Sequence, residues 1–221
     1  MEQKANILQT LFFIAGVINL LGHLLEQPLT VQISKTLLMP LLAAFFYFSV
    51  AGKKAPATAV YGMIAALILS FAGDMVLMME GYFTLGLGAF LLAHVSYIFV
   101  FTYLQKFHLS LVSIVLKPIV LLLFAAGIGM YIVLTPHLGA MRTPVGMYVA
   151  IIVVMAVSAY LLTQRVAALT FIGAVLFMVS DSYLAFNKFH TALPLSGVVV
   201  MGTYIAAQWC IAKGVSSYFH D

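Results

Sequence analysis

Six side chains of this 221-residue chain are acidic, and two of them stand where an acid is expensive to keep. Glu2 and Asp221 are terminal, while Glu26 and Glu80 sit at the ends of apolar stretches. Asp74 lies inside Phe71-Ala72-Gly73-Asp74-Met75-Val76-Leu77, and Asp181 inside Val179-Ser180-Asp181-Ser182-Tyr183-Leu184. An ionised Asp at the centre of a membrane span costs roughly 2.5–3.5 kcal/mol on insertion scales, and less near the interface. Two such residues are candidates for chemistry, because carboxyls in different surroundings can divide into a proton donor and a proton acceptor. The structural alternative is an ion pair or a set of helix-to-helix hydrogen bonds. Gly73 and Ser180, the small neighbours of the two acids, leave room for a helix or a substrate to approach.

Further polar residues belong to the same expected cavity. Lys35 opens Lys35-Thr36-Leu37-Leu38-Met39-Pro40, on the same side as both aspartates, where it either snorkels to the interface or faces the acids. His94 and Tyr97, three apart, share one helix face, and Tyr204 and Gln208, four apart, share another. With Ser180 these are the expected substrate-binding residues. Arg142 and Lys188 stand near span ends on that side, where they are either plain loop charges or a weak attraction for an anionic headgroup. No metal is expected, because His23, His108, His137, His190 and His220 lie near loops or ends and no two histidines are four apart. There is no G-x-S-x-G, no P-loop and no dinucleotide fingerprint, so no cofactor is expected either.

The elements that must position these residues follow from composition. Of the residues, 64% are hydrophobic and 7% charged, against about a quarter charged in a soluble domain. Too little polar surface remains to cover a globule in water. In lipid only helices and closed barrels satisfy their own backbone groups. Barrel strands alternate apolar and polar, whereas Leu11 to Leu25 is almost unbroken apolar sequence, so the fold class is all-α. Eight apolar segments fall at 7–25, 36–51, 57–79, 83–105, 109–134, 144–163, 166–186 and 193–216, with a kink expected at Lys117-Pro118. The first reads as a retained span rather than a cleaved signal. Connections are short and carry turn formers, so the whole chain, 1–221, reads as a single transmembrane domain.

The formal charge of +4 comes from Lys and Arg scattered at span ends, with Lys53-Lys54 the only adjacent pair, so no nucleic-acid partner is expected. The single cysteine, Cys210, excludes an intrachain disulfide. Lys4, Lys53, Lys54, Lys106, Arg165 and Lys213 fall on the side of the termini, against Lys35, Arg142 and Lys188 opposite. That bias places both termini in the cytoplasm. At an offset of 107 residues Lys35 falls on Arg142, Asp74 on Asp181 and Tyr97 on Tyr204. The expected reading is two parallel four-helix repeats, spans 1–4 and 5–8. From these residues alone, a membrane enzyme and a proton-coupled carrier of a small or lipid-like substrate rank equal.

Taken together, Lys35…Pro40, Gly73-Asp74-x-x-Leu77, His94-x-x-Tyr97, Ser180-Asp181-x-x-Leu184 and Tyr204-x-x-x-Gln208 resemble the YhhN family, across nearly the entire chain. The chain departs from the family pattern at Lys35-Thr36, where Lys-Pro is expected and the proline stands instead at Pro40. The resemblance implies an integral-membrane, lysoplasmalogenase-like hydrolase of the cytoplasmic membrane. Its substrate would be the lysophospholipid lysoplasmalogen, whose vinyl ether bond is cleaved to give a fatty aldehyde and glycerophosphoethanolamine or glycerophosphocholine. The two acids suit that chemistry. One of Asp74 and Asp181 would protonate the alkene carbon, while the other stabilises the oxocarbenium ion and activates water. Asp181, flanked by the aromatic Tyr183 and Phe186, is favoured as the donor.

Overall fold

The computed structural model describes residues 1–105, 117–162 and 167–219, and all regular structure among them is helical. Eight α-helices follow in order: α1 (Glu2–Leu24), α2 (Pro28–Val50), α3 (Ala57–Leu77), α4 (Phe83–Leu104), α5 (Pro118–Leu134), α6 (Arg142–Tyr160), α7 (Ala167–Phe189) and α8 (Ser196–Tyr218). Two short 3-10 turns, Thr135–His137 and Gly139–Met141, join α5 to α6. Counting those turns, each of the eight segments is long and apolar enough to cross a membrane. The chain is an all-α, multi-pass membrane protein, as its composition requires.

Two of the expected span starts are corrected by the structure. The second span begins at Pro28 rather than residue 36. Proline at the first helical position gives up an N–H that has no helical partner anyway. The polar run that follows is absorbed, with Ser34 Oγ donating to the Thr30 carbonyl at 2.6 Å and accepting from Asn19 Nδ2 of α1 at 3.0 Å. Lys35 is therefore not at the helix start but seven residues into α2, about 10 Å along the axis at 1.5 Å per residue. The expected kink at Lys117-Pro118 is a helix start instead: Lys117 is extended and Pro118 opens α5. The beginning of the expected 109–134 span, and Lys106, His108, Arg165, His220 and Asp221, lie outside the described residues.

The sequential pairs α1–α2, α3–α4 and α7–α8 make the most extensive contacts. Across them α2 packs on α3, α4 on α6, α6 on α7, and α8 on both α1 and α2. Helices α6 and α8 are the most enclosed, while α5 and α1 are the least. Closeness of α7 and α8 depends on small residues. A Cβ at Gly173 would stand 2.7 Å from the Ala207 carbonyl oxygen, and one at Gly214 would run into Thr170. Because the obstacle at Gly173 is backbone, it yields only if the helices separate. Gly173→Ala is expected to lose about 1–3 kcal/mol, the usual cost of overpacking. Gly129→Ala, whose new methyl meets nothing within 4 Å, is expected to match wild type. Thermal unfolding of the two variants in detergent compares them directly.

Candidate active site

The sequence-selected residues fall into two polar groups, separated by a layer of aromatic rings. The first is built by α2, α3, α4 and α8. Lys35 Nζ of α2 lies 3.2 Å from Asp74 Oδ1, and Tyr204 OH of α8 donates to Asp74 Oδ2 at 2.7 Å. Both carboxyl oxygens are thus engaged, and Asp74 is only 2% exposed. One turn further along α8, Gln208 Nε2 donates to Ser70 Oγ of α3 at 3.0 Å, while its Oε1 accepts from Tyr97 OH of α4 at 2.5 Å. Ser70 and Asp74 are four apart on α3, and Tyr204 and Gln208 four apart on α8. Equal spacing on the two helices gives two successive rungs between them. The structural role for acids in this chain is therefore realised at Asp74, whatever else it does.

The second group is built by α4, α6 and α7. Tyr148 OH of α6 donates a short hydrogen bond to Asp181 Oδ2. His94 Nε2 of α4 stands 3.9 Å from that same oxygen. No other hydrogen bond reaches Asp181 from the described residues, and its side chain keeps 17% of its exposure. Ring contacts run from Tyr204 to Phe177, from Phe177 to His94 and from His94 to Tyr148, at centroid distances of 5.4, 4.6 and 5.2 Å. That chain of rings joins the partner of Asp74 to the partner of Asp181, and keeps the two carboxyls apart.

A cavity of about 450 Å³ opens beside the second group, within the range usual for small-molecule sites. Asp181, Tyr148, Ser182 and Tyr183 are its polar lining, and the remaining walls are apolar or aromatic. Asp74 is not among its lining residues, and neither are Lys35, His94, Tyr97, Ser180, Tyr204 or Gln208. Ser180 faces α8 instead, donating to the Val200 carbonyl at 3.0 Å. Helices α5 and α7 scarcely touch. Between them the cavity reaches Leu122, 68% exposed, and Val179, 45% exposed, so it opens sideways. Lys188 is exposed at the end of α7, with Nζ 5.3 Å from the centre of the Phe83 ring, itself a wall of the cavity. Arg142 is exposed at the first position of α6. Among the described residues no group of three or more His, Cys, Asp and Glu is placed to hold a metal ion.

Residues 31–215 match the YhhN family. The chain belongs to that family. Its similarity to the lysoplasmalogenase TMEM86A of Bos taurus is 34% identity over 160 residues, covering 68% of this chain and 63% of that protein. A lysoplasmalogenase of Mycobacterium tuberculosis is 31% identical over 157 residues, with 69% of this chain and 59% of the other covered. The lysoplasmalogenase TMEM86B of Homo sapiens is 35% identical over 148 residues, covering 66% and 59%. This YhhN chain thus spans 59–63% of the length of these curated relatives. No solved structure matches it.

Two residues of the site escaped sequence reasoning in this YhhN chain. Ser70 was within reach, since it lies one turn before Asp74 on the same face. Tyr148 carried no spacing signal, because its partner Asp181 belongs to another helix and its position 107 residues earlier is the apolar Leu41.

Proposed function

We propose that this protein is a lysoplasmalogenase-like hydrolase, cleaving the vinyl ether of lysoplasmalogen to a fatty aldehyde and the glycerophospho alcohol. One observation carries the reading beyond family membership: an acid, Asp181, stands with Tyr148 in the wall of a sideways-opening and otherwise apolar cavity. A chain buried in that cavity brings its ether end to a carboxyl. Asp181 passes its proton to the alkene carbon, and the resulting oxocarbenium ion lies beside the carboxylate left behind. Water adds, and the hemiacetal collapses to aldehyde and alcohol. Such a site needs an acid, a nearby negative charge and a positioned water.

Asp74 is the second acid of this reading. Its engagement by Lys35 and Tyr204 supports a carboxylate held ionised one ring layer away, so its share in the reaction is electrostatic. Gln208, Tyr97 and Ser70 keep α3, α4 and α8 in register around it. Lys188 and Arg142 receive the phosphate of the headgroup. Neither metal nor cofactor enters the scheme.

The same reading makes the chain one membrane domain of two parallel halves, α1–α4 and α5–α8, in the cytoplasmic membrane with both termini inside. Support for the halves comes from packing: α3 meets α4 as α7 meets α8, and α2 meets α8 as α6 meets α4.

The test is aldehyde release from lysoplasmenylethanolamine by the purified protein in detergent. Aldehyde is expected in stoichiometric amounts with glycerophosphoethanolamine, at a rate that a chelator leaves unchanged. A well-folded sample that gives no aldehyde, yet dissipates a gradient of the intact lysolipid across liposomes, would replace this reading with a carrier.

A further inference from the structure

His94 is fully buried on α4, and the hydrolytic scheme has not yet used it. Its Nδ1 lies 2.5 Å from the Phe90 carbonyl oxygen. A carbonyl oxygen only accepts, so Nδ1 carries the hydrogen, and in the neutral ring Nε2 is then an acceptor. That Nε2 is buried and has no hydrogen-bond partner among the described residues. Leaving such a group unsatisfied is costly, and the direction in which it points is informative. It faces Asp181 Oδ2 across 3.9 Å, too far for a direct hydrogen bond. A single water donating one hydrogen to each would bridge two acceptors at that separation. The His94 ring is held for this by edge-on contacts with Phe177 and Tyr148 and by the Phe90 carbonyl.

We infer that His94 Nε2 and Asp181 Oδ2 together hold the water that captures the oxocarbenium ion, and that His94 is the base that takes its proton. The inference rests on the vinyl ether reading above. Asp181 first gives its proton to the alkene carbon and becomes a carboxylate. The water oxygen then forms a bond to the cationic carbon, and one of its protons passes to His94 Nε2. The imidazolium returns that proton to the glycerol oxygen as the bond between that oxygen and the former alkene carbon breaks. The hemiacetal hydroxyl proton restores Asp181. One water is consumed, an aldehyde and an alcohol leave, and both side chains end as they began. His94 was expected to bind substrate; here its part is to prepare the nucleophile from behind the cavity wall.

The experiment uses the full chain and compares aldehyde release in H2O and D2O. In wild type, proton transfer to carbon limits the rate, and kcat falls in D2O. His94→Asn keeps a donor for the Phe90 carbonyl while removing Nε2. Its kcat is expected to fall by about 10²-fold, the lower end for a lost acid–base group, with KM within about threefold of wild type. The solvent isotope effect should shrink at the same time, because water capture becomes limiting. A merely structural role would slow both steps together and leave the isotope effect at its wild-type size. That outcome, or an unchanged kcat, overturns the assignment. If His94→Asn does not fold, His94→Gln, which lacks a basic nitrogen at Nε2, is put through the same two measurements. Absence of aldehyde from the wild type would overturn the vinyl ether reading itself, and this assignment with it.

Discussion

Asp181→Asn is expected to abolish aldehyde release while leaving a folded protein. The substitution keeps the size of the side chain and an oxygen to accept from Tyr148 OH, but it removes the proton that the alkene carbon must receive. Loss of a general acid is worth about 10²–10⁴ in rate. The loss should appear in kcat and kcat/KM alike, since the proton is delivered only on the way to the transition state. Asp74→Asn is expected to fall less, by tens-fold, because that carboxyl is 2% exposed and lies behind Phe90 and Phe177. Single-turnover and steady-state assays of both variants make the comparison. Retained turnover in Asp181→Asn would sink the mechanism.

Lys35→Met is expected to give the largest loss of stability. It leaves Asp74 buried with, among the described residues, one neutral donor, Tyr204 OH, and no counter-charge. Breaking a buried ion pair by removing one partner costs about 3–5 kcal/mol. Lys35 keeps 14% of its exposure, which sets the expectation at the lower end of that range. Lys35→Met with Asp74→Asn removes the orphaned charge as well, so the double variant should recover most of the loss. Unfolding of the four proteins in detergent gives the coupling between the two sites. A double variant as unstable as Lys35→Met alone would show that the lysine stem, rather than its charge, supports α2 against α3.

Much of this arrangement is legible in the sequence, and the reason is cost. A charged group inside an apolar segment has few tolerable surroundings, so Asp74, Asp181 and Lys35 announce themselves. Helical spacing then places Tyr204 with Gln208, which the structure uses as two rungs against α3. Spacing says nothing about which helices face one another. With 64% of residues hydrophobic, faces turned to lipid and faces turned to the bundle read alike. Hence Tyr148 is invisible and His94 reads as a cavity residue rather than one behind the wall, while only the aromatic neighbours Tyr183 and Phe186 set Asp181 apart from Asp74. Lys35 shows a second limit. Hydropathy cut α2 at its polar start, although Asn19 and Ser34 satisfy that start from within the bundle.

On the proposed reaction, the gap between α5 and α7 sets the medium from which the substrate would be drawn. An opening at Leu122 and Val179, apolar residues on two membrane-spanning helices, would admit a lysolipid from among the acyl chains, so the quantity expected to saturate the site is its mole fraction in the bilayer. At constant bulk concentration, adding inert phospholipid should slow the reaction by surface dilution, and detergent micelles should do the same. The products of the proposed cleavage would part company at that opening, the aldehyde diffusing away in two dimensions and the glycerophospho alcohol in three.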